Sequence, residues 1–157
     1  MTTGHLAGIA RHDRPFGPME TLERVSVTAG EGVHGDFRGA RASMKPSRKR
    51  QVSLIEAECV SAAMAEAGAL LDWSDCRRNL LVRGLRLPRV PGTRVRIGAS
   101  LVLEITDECE PCERMDALHE GLRAALTPDW RGGFLGRVIE DGEIAVGDEI
   151  RILEDRG

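Results

Sequence analysis

Two seven-residue segments, far apart in the chain, are built alike. Val95-Arg96-Ile97-Gly98-Ala99-Ser100-Leu101 and Ile144-Ala145-Val146-Gly147-Asp148-Glu149-Ile150 each set a glycine between two strand-like halves. A residue without a Cβ at such a point lets a strand turn the corner of a barrel. Other extended segments surround the pair. Residues 5–11, 20–29, 51–54 and 80–85 read as strands, with Leu22, Val25 and Val27 in a rough two-residue period. Residues 94–97 and 101–106 read as a hairpin, residues 135–140 and 143–145 as a second one turning at Asp141-Gly142, and residues 149–153 as a last strand. Ser53-Leu54-Ile55-Glu56 has the form of a capping box opening a helix. Val60, Ala63, Met64 and Ala67 then share one face, and Gly68 ends it. A second helix is expected over residues 115–126, with Pro128 just past its end. The sum is a mostly β fold, a distorted closed barrel of about eight strands with two or so short helices, spanning residues 1–157 as one domain.

Composition narrows the function classes. Hydrophobic residues make up 41% and charged residues 30%, a globular balance. Aromatic residues are 3% with no Tyr, so the core is aliphatic and surfaces for stacking bases are scarce. With a net charge of -3, this argues against a nucleic-acid partner. Residues 1–14 lack the apolar run of a secretory signal, and no stretch has the length of a membrane span. The expectation is a cytoplasmic protein without a membrane partner. There Cys59, Cys76, Cys109 and Cys112 are free thiols, metal ligands or redox groups rather than a disulfide framework.

Three places carry the residue types of chemistry. Cys109-Glu110-Pro111-Cys112 pairs two thiols that can share a metal, form a redox couple or simply pack. Zinc would require two more ligands. Residues 38–50, read as a loop, hold six cations and no acid: Arg38, Arg41, Lys45, Arg48, Lys49 and Arg50. Such a loop can clamp an oxyanion, particularly beside the glycine-punctuated run over residues 30–36, or can be plain solvated surface. His34 and Asp36 bracket Gly35 and can bind a ligand or stabilise a turn. Arg77-Arg78-Asn79 precedes a buried strand, where Arg77 and Asn79 can meet a polar ligand at the strand's end.

Taken in order, several segments resemble the MOSC domain, named for the C-terminal domain of molybdenum cofactor sulfurases. They are Gly35-Asp36, Arg50-Gln51-Val52-Ser53-Leu54, Arg77-x-Asn79-Leu80-Leu81-Val82-x-Gly84-Leu85 and Arg96-Ile97-Gly98, followed by Pro111-Cys112, Arg131-Gly132-Gly133 and Gly142-x-Ile144-x-Val146-Gly147-Asp148. The resemblance implies a barrel-like fold and identifies Cys112 with the family's characteristic cysteine, a metal ligand or persulfide carrier. It implies a molybdenum cofactor (molybdopterin) held near Arg77 and Asn79, and in some relatives the reduction of N-hydroxylated compounds. A sulfur donor or redox partner protein is implied with it. Charge alone adds Lys49, Arg50 and their neighbours as holders of the pterin's phosphate. The alternatives are a non-catalytic phosphate- or partner-binding module, and a zinc or redox site at Cys109 and Cys112. Arg78 stands where Pro is common in the family, and Cys109 is an additional thiol.

Overall fold

The computed structural model describes residues 3–153. Seven strands close a barrel. They are β1 (Thr3–Arg11), β5 (Val52–Glu56), β6 (Leu80–Arg83), β7 (Arg94–Ile97), β8 (Leu101–Glu108), β9 (Phe134–Glu140) and β11 (Glu149–Leu153). Their order is β11-β7-β8-β9-β5-β6-β1, and a further β1–β11 pairing shuts the ring. Neighbours run antiparallel except β5 and β6. β2 (Glu20–Leu22) flanks β1, while β3 (Arg24–Thr28), β4 (Gly32–Val33) and β10 (Gly142–Ala145) form a small second sheet.

Alternation along β5 and β6 builds two cores. Leu54 and Leu80 point into the barrel, where they join Leu6, Leu103, Ile105 and Phe134. Ile55 and Leu81 face outward and are covered by helices α2 (Ala57–Ala67), α3 (Glu113–Leu118) and α4 (Leu122–Leu126). The two look-alike segments turn as expected. Gly98 (φ 67°) and Gly147 (φ 101°) adopt left-handed backbone. At the second one the chain passes from the small sheet into the barrel.

Several expectations are corrected. The mostly β closed barrel is as expected, and the described residues hold eleven strands and four short α-helices where about eight and two or so were read from sequence. Residues 20–29 break at Glu23 into β2 and β3, which lie in different sheets. Asp141-Gly142 does not fold β10 back on β9, because β9 already has β8 and β5 on its two edges; β10 pairs with β3 instead. Ser53 lies inside β5, and Glu56 precedes α2 without a side-chain capping bond. The stretch 115–126 splits into α3 and α4 at His119, whose Nε2 lies 2.8 Å from the Ala67 carbonyl at the end of α2, and at left-handed Gly121. Within the basic loop, Phe37–Ser43 forms α1, because the Asp36 carboxylate accepts the Gly39 N–H and caps it.

Candidate functional site

The register brings five chain segments to one end of the barrel. Ile9 pairs with Leu80, so the end of β1 lies beside Asn79 at the start of β6. Asn79 fixes this junction. Its side-chain oxygen accepts the Ser53 N–H at 3.0 Å, and its amide donates to the Ala10 carbonyl at 3.1 Å. Leu54 pairs with Phe134, and Phe134 with Glu108, which carries the loop after β8 to the same place.

That loop, residues 109–112, is held from two sides. The Cys109 N–H donates to the Gly133 carbonyl at 2.8 Å. Gly133 has φ 117°, and a Cβ on it would overlap the Leu54 carbonyl, so only glycine fits between β5 and this loop. The Arg78 guanidinium, buried beneath, donates to the carbonyls of Gly132 (2.8 Å), Cys76 (3.0 Å), Cys109 (3.4 Å) and Glu110 (3.4 Å). The result buries Cys109 and leaves Cys112 exposed just before α3; all four cysteines are free.

A cavity of about 440 Å³ opens here, within the size range of small-molecule sites. Cys112, Asn79, Asp36 and six arginines line it: Arg38, Arg41, Arg50, Arg77, Arg78 and Arg114. Among the described residues, the only acids on its wall are Asp36 and Glu110. Among the described residues, none of the six arginines has a carboxylate within ion-pair distance. Arg77 donates to the Gly17 carbonyl at 2.8 Å, and Arg114 stacks over the exposed Phe16 ring at 4.5 Å. Desolvation and the nearby Arg114 and Arg38 lower the Arg77 pKa; desolvation and the nearby Arg50 do the same to Arg38. The cations are crowded and short of counter-charge.

Of the residues singled out from sequence, Cys112, Arg50, Arg77, Asn79 and Asp36 meet at this cavity. Two lie off this cavity. His34 lies outside, its Nδ1 paired with Glu31 at 2.7 Å, while Lys49, paired with Asp107 at 2.8 Å, lines the adjoining groove with Arg38, Arg41, Lys45 and Arg50. Among the described residues no three His, Cys, Asp or Glu side chains stand together as metal ligands, so Cys109 and Cys112 gain no partners for a zinc site. Sequence reasoning placed Arg38 and Arg41 only within the basic loop as an oxyanion clamp, gave Arg78 and Arg114 no place in the site, and passed over His12. The surplus of cations over residues 38–50 was the available signal for Arg38 and Arg41; His12 carried none.

A closed barrel here presents an exposed thiol at a cavity whose arginines have no carboxylate partner among the described residues. The chain belongs to the MOSC domain family, whose model matches residues 17–151. Among solved structures it is similar to the YUAD protein from Bacillus subtilis, at 19% identity and TM-score 0.79, covering 96% of this chain and 95% of that one. It is also similar to YiiM from Escherichia coli, at 15% identity and TM-score 0.66, over 96% and 70% of the two chains. YiiM from Geobacillus stearothermophilus gives 17% identity and TM-score 0.63, over 96% and 73%. No functionally curated sequence matches.

Proposed function

We propose that the protein binds the molybdenum cofactor in this cavity, with Cys112 as a soft ligand to the metal or as a carrier of sulfur for it. One observation carries the reading: six arginines without carboxylate partners among the described residues line a cavity that also exposes a thiol. An anionic ligand supplies the counter-charge those guanidiniums lack, and guanidinium forks suit phosphate oxygens. Arg38, Arg41 and Arg50 also line the adjoining groove with Lys45, which suits them to the pterin's phosphate. Arg77 lies in the same wall as Cys112 and is suited to the metal-bearing end. Thiolate sulfur is a fitting ligand for a soft metal centre. When bound, the cofactor supplies a redox-active metal, and the reduction of N-hydroxylated compounds falls within this reading. Asn79 and Arg78 keep the walls rigid through their backbone bonds.

A sulfur-carrying role for Cys112 has its own support, because Cys112 also borders the outer cleft lined by Lys49 and Asp107, a route of approach for a donor protein. Four free thiols suit a reducing, cytoplasmic setting. Among the described residues, no helix is long and apolar enough to cross a membrane. The test is elemental analysis of protein from a cofactor-competent host, with mass spectrometry of Cys112. Wild type is expected to carry molybdenum and Cys112→Ser to lose it. Full metal retention in Cys112→Ser contradicts the ligand role, and a persulfide on a metal-free wild type selects the carrier role.

A further inference from the structure

The cavity has one more polar side chain on its wall that neither the motif nor the arginines account for. His12 follows β1 and is only 8% exposed. Its Nδ1 is buried without a hydrogen-bond partner and lies 3.5 Å from Asp36 Oδ1. That is about 0.6 Å longer than an ordinary N–H···O bond, so the pair is aligned but open. Asp36 is itself fixed, since its two oxygens accept the His12 N–H at 3.1 Å and the Gly39 N–H at 2.9 Å. The other ring nitrogen, Nε2, also has no partner among the described residues and is not one of the buried unpaired atoms; it is the nitrogen left open to the cavity. A carboxylate behind one ring nitrogen and free space before the other is the arrangement of an oriented proton-exchanging histidine.

We propose that His12, oriented by Asp36, contacts the bound anion through Nε2 and takes up a proton from solvent as the anion binds. This rests on the reading of the cavity as an anion site. The charged groups around the ring are Asp36 ahead of α1, Arg38 on α1, Arg77 ahead of β6 and Arg114 on α3. Burial lowers the free imidazole's pKa, Asp36 pulls it up, and the three arginines push it down with burial. Without an anion the balance therefore disfavours the charged ring. An anion among those arginines offsets their repulsion and favours the imidazolium, which then donates Nε2–H to it. With the bound-state pKa above the free one, affinity is flat above the bound-state pKa. It rises as pH falls between the two and is flat again below the free-state value.

Sulfate is the probe, because it stays fully ionised across this range. Protein made in a cofactor-deficient host is titrated by NMR, following the His12 Cε1–H from pH 8 to pH 5 with and without sulfate, with His12→Gln supplying the assignment. The expected result is a rise of the His12 midpoint by about one unit under saturating sulfate, and about tenfold tighter sulfate binding at low pH that His12→Gln flattens. Asp36→Asn, whose single side-chain oxygen keeps one of the two backbone N–H bonds, is expected to lower the midpoint; an unmoved midpoint in that variant overturns the orienting role. Sulfate binding with an unmoved His12 midpoint in wild type overturns the inference and leaves the anion site standing, even where His12→Gln fails to fold. No sulfate binding at any pH overturns both.

Discussion

Two sets of arginines in this molecule sit in opposite circumstances. On the flank of the barrel, Arg89 reaches both oxygens of buried Glu56, at 2.8 and 2.7 Å, and stacks over Phe134 at 5.1 Å. Glu56 also accepts the Leu87 N–H at 2.6 Å. Burial alone would depress the Arg89 pKa, but the Glu56 hydrogen bonds and charge more than offset it, and the net direction is up. At the barrel's end, Arg38 is pushed down by desolvation and by Arg50, and Arg77 by desolvation and by Arg114 and Arg38. The first set is complete within the protein; the second is incomplete without something anionic. The cysteines divide in the same way. Cys76 is raised to about 11 chiefly by burial, and Cys59 to about 11 by burial and the Glu56 hydrogen bond, so both are inert thiols, while Cys112 stands exposed at the cavity.

The comparison predicts that stability and binding separate. Glu56→Gln removes the buried carboxylate that both Arg89 nitrogens reach, leaving only half-exposed Asp129 at 3.8 Å as counter-charge, and is expected to cost about 3–5 kcal/mol in denaturant unfolding. A loss below about 1 kcal/mol would show that the flank pair is not a structural pin. Arg78→Met removes the cation beneath the Cys109 loop and strands four carbonyls, for an expected loss of about 2–3 kcal/mol. Hydrogen exchange at the Cys109 amide should speed up at the same time; unchanged protection would mean the loop does not depend on Arg78. Arg50→Gln, by contrast, should change stability by no more than about 0.5 kcal/mol while weakening sulfate binding about tenfold. Loss of stability with unchanged binding would reverse the assignment of the two sets.

Much of the barrel was legible because its signals are local. The β7–β8 hairpin, the final strand and the Gly68 stop follow from alternation and a left-handed glycine, and each forms as read. The failures come where tertiary contacts decide. Ser53-Leu54-Ile55 has the spacing of a capping box, but Leu54 and Ile55 are needed in the two cores, so the segment is strand. Asp141-Gly142 has hairpin chemistry, yet β9 has no free edge to receive β10. The site divides similarly. Cys112, Arg77, Asn79 and Arg50 lie in patterned segments and were visible. His12 is a lone histidine held at Asp36 by two long-range bonds to the start of α1, His12 N–H to Asp36 Oδ1 and Phe37 N–H to the His12 carbonyl, which no spacing encodes. His34 looked equivalent to its neighbours in sequence and pairs with Glu31 outside the cavity, while Lys49 stays on the adjoining basic groove although it pairs with Asp107.

The central claim is that the unpaired arginines hold an anionic cofactor. Its most direct test is the pterin content per chain of protein from a cofactor-competent host, measured as the fluorescent oxidised pterin. Wild type is compared with an Arg38→Gln, Arg41→Gln, Arg50→Gln triple variant. None of these three guanidiniums makes a hydrogen bond or ion pair with the described protein, so the triple variant should keep the wild-type Tm. Near-stoichiometric pterin in wild type, falling more than about tenfold in the folded variant, is the predicted result. Undiminished pterin in the variant, or none in wild type, would contradict it.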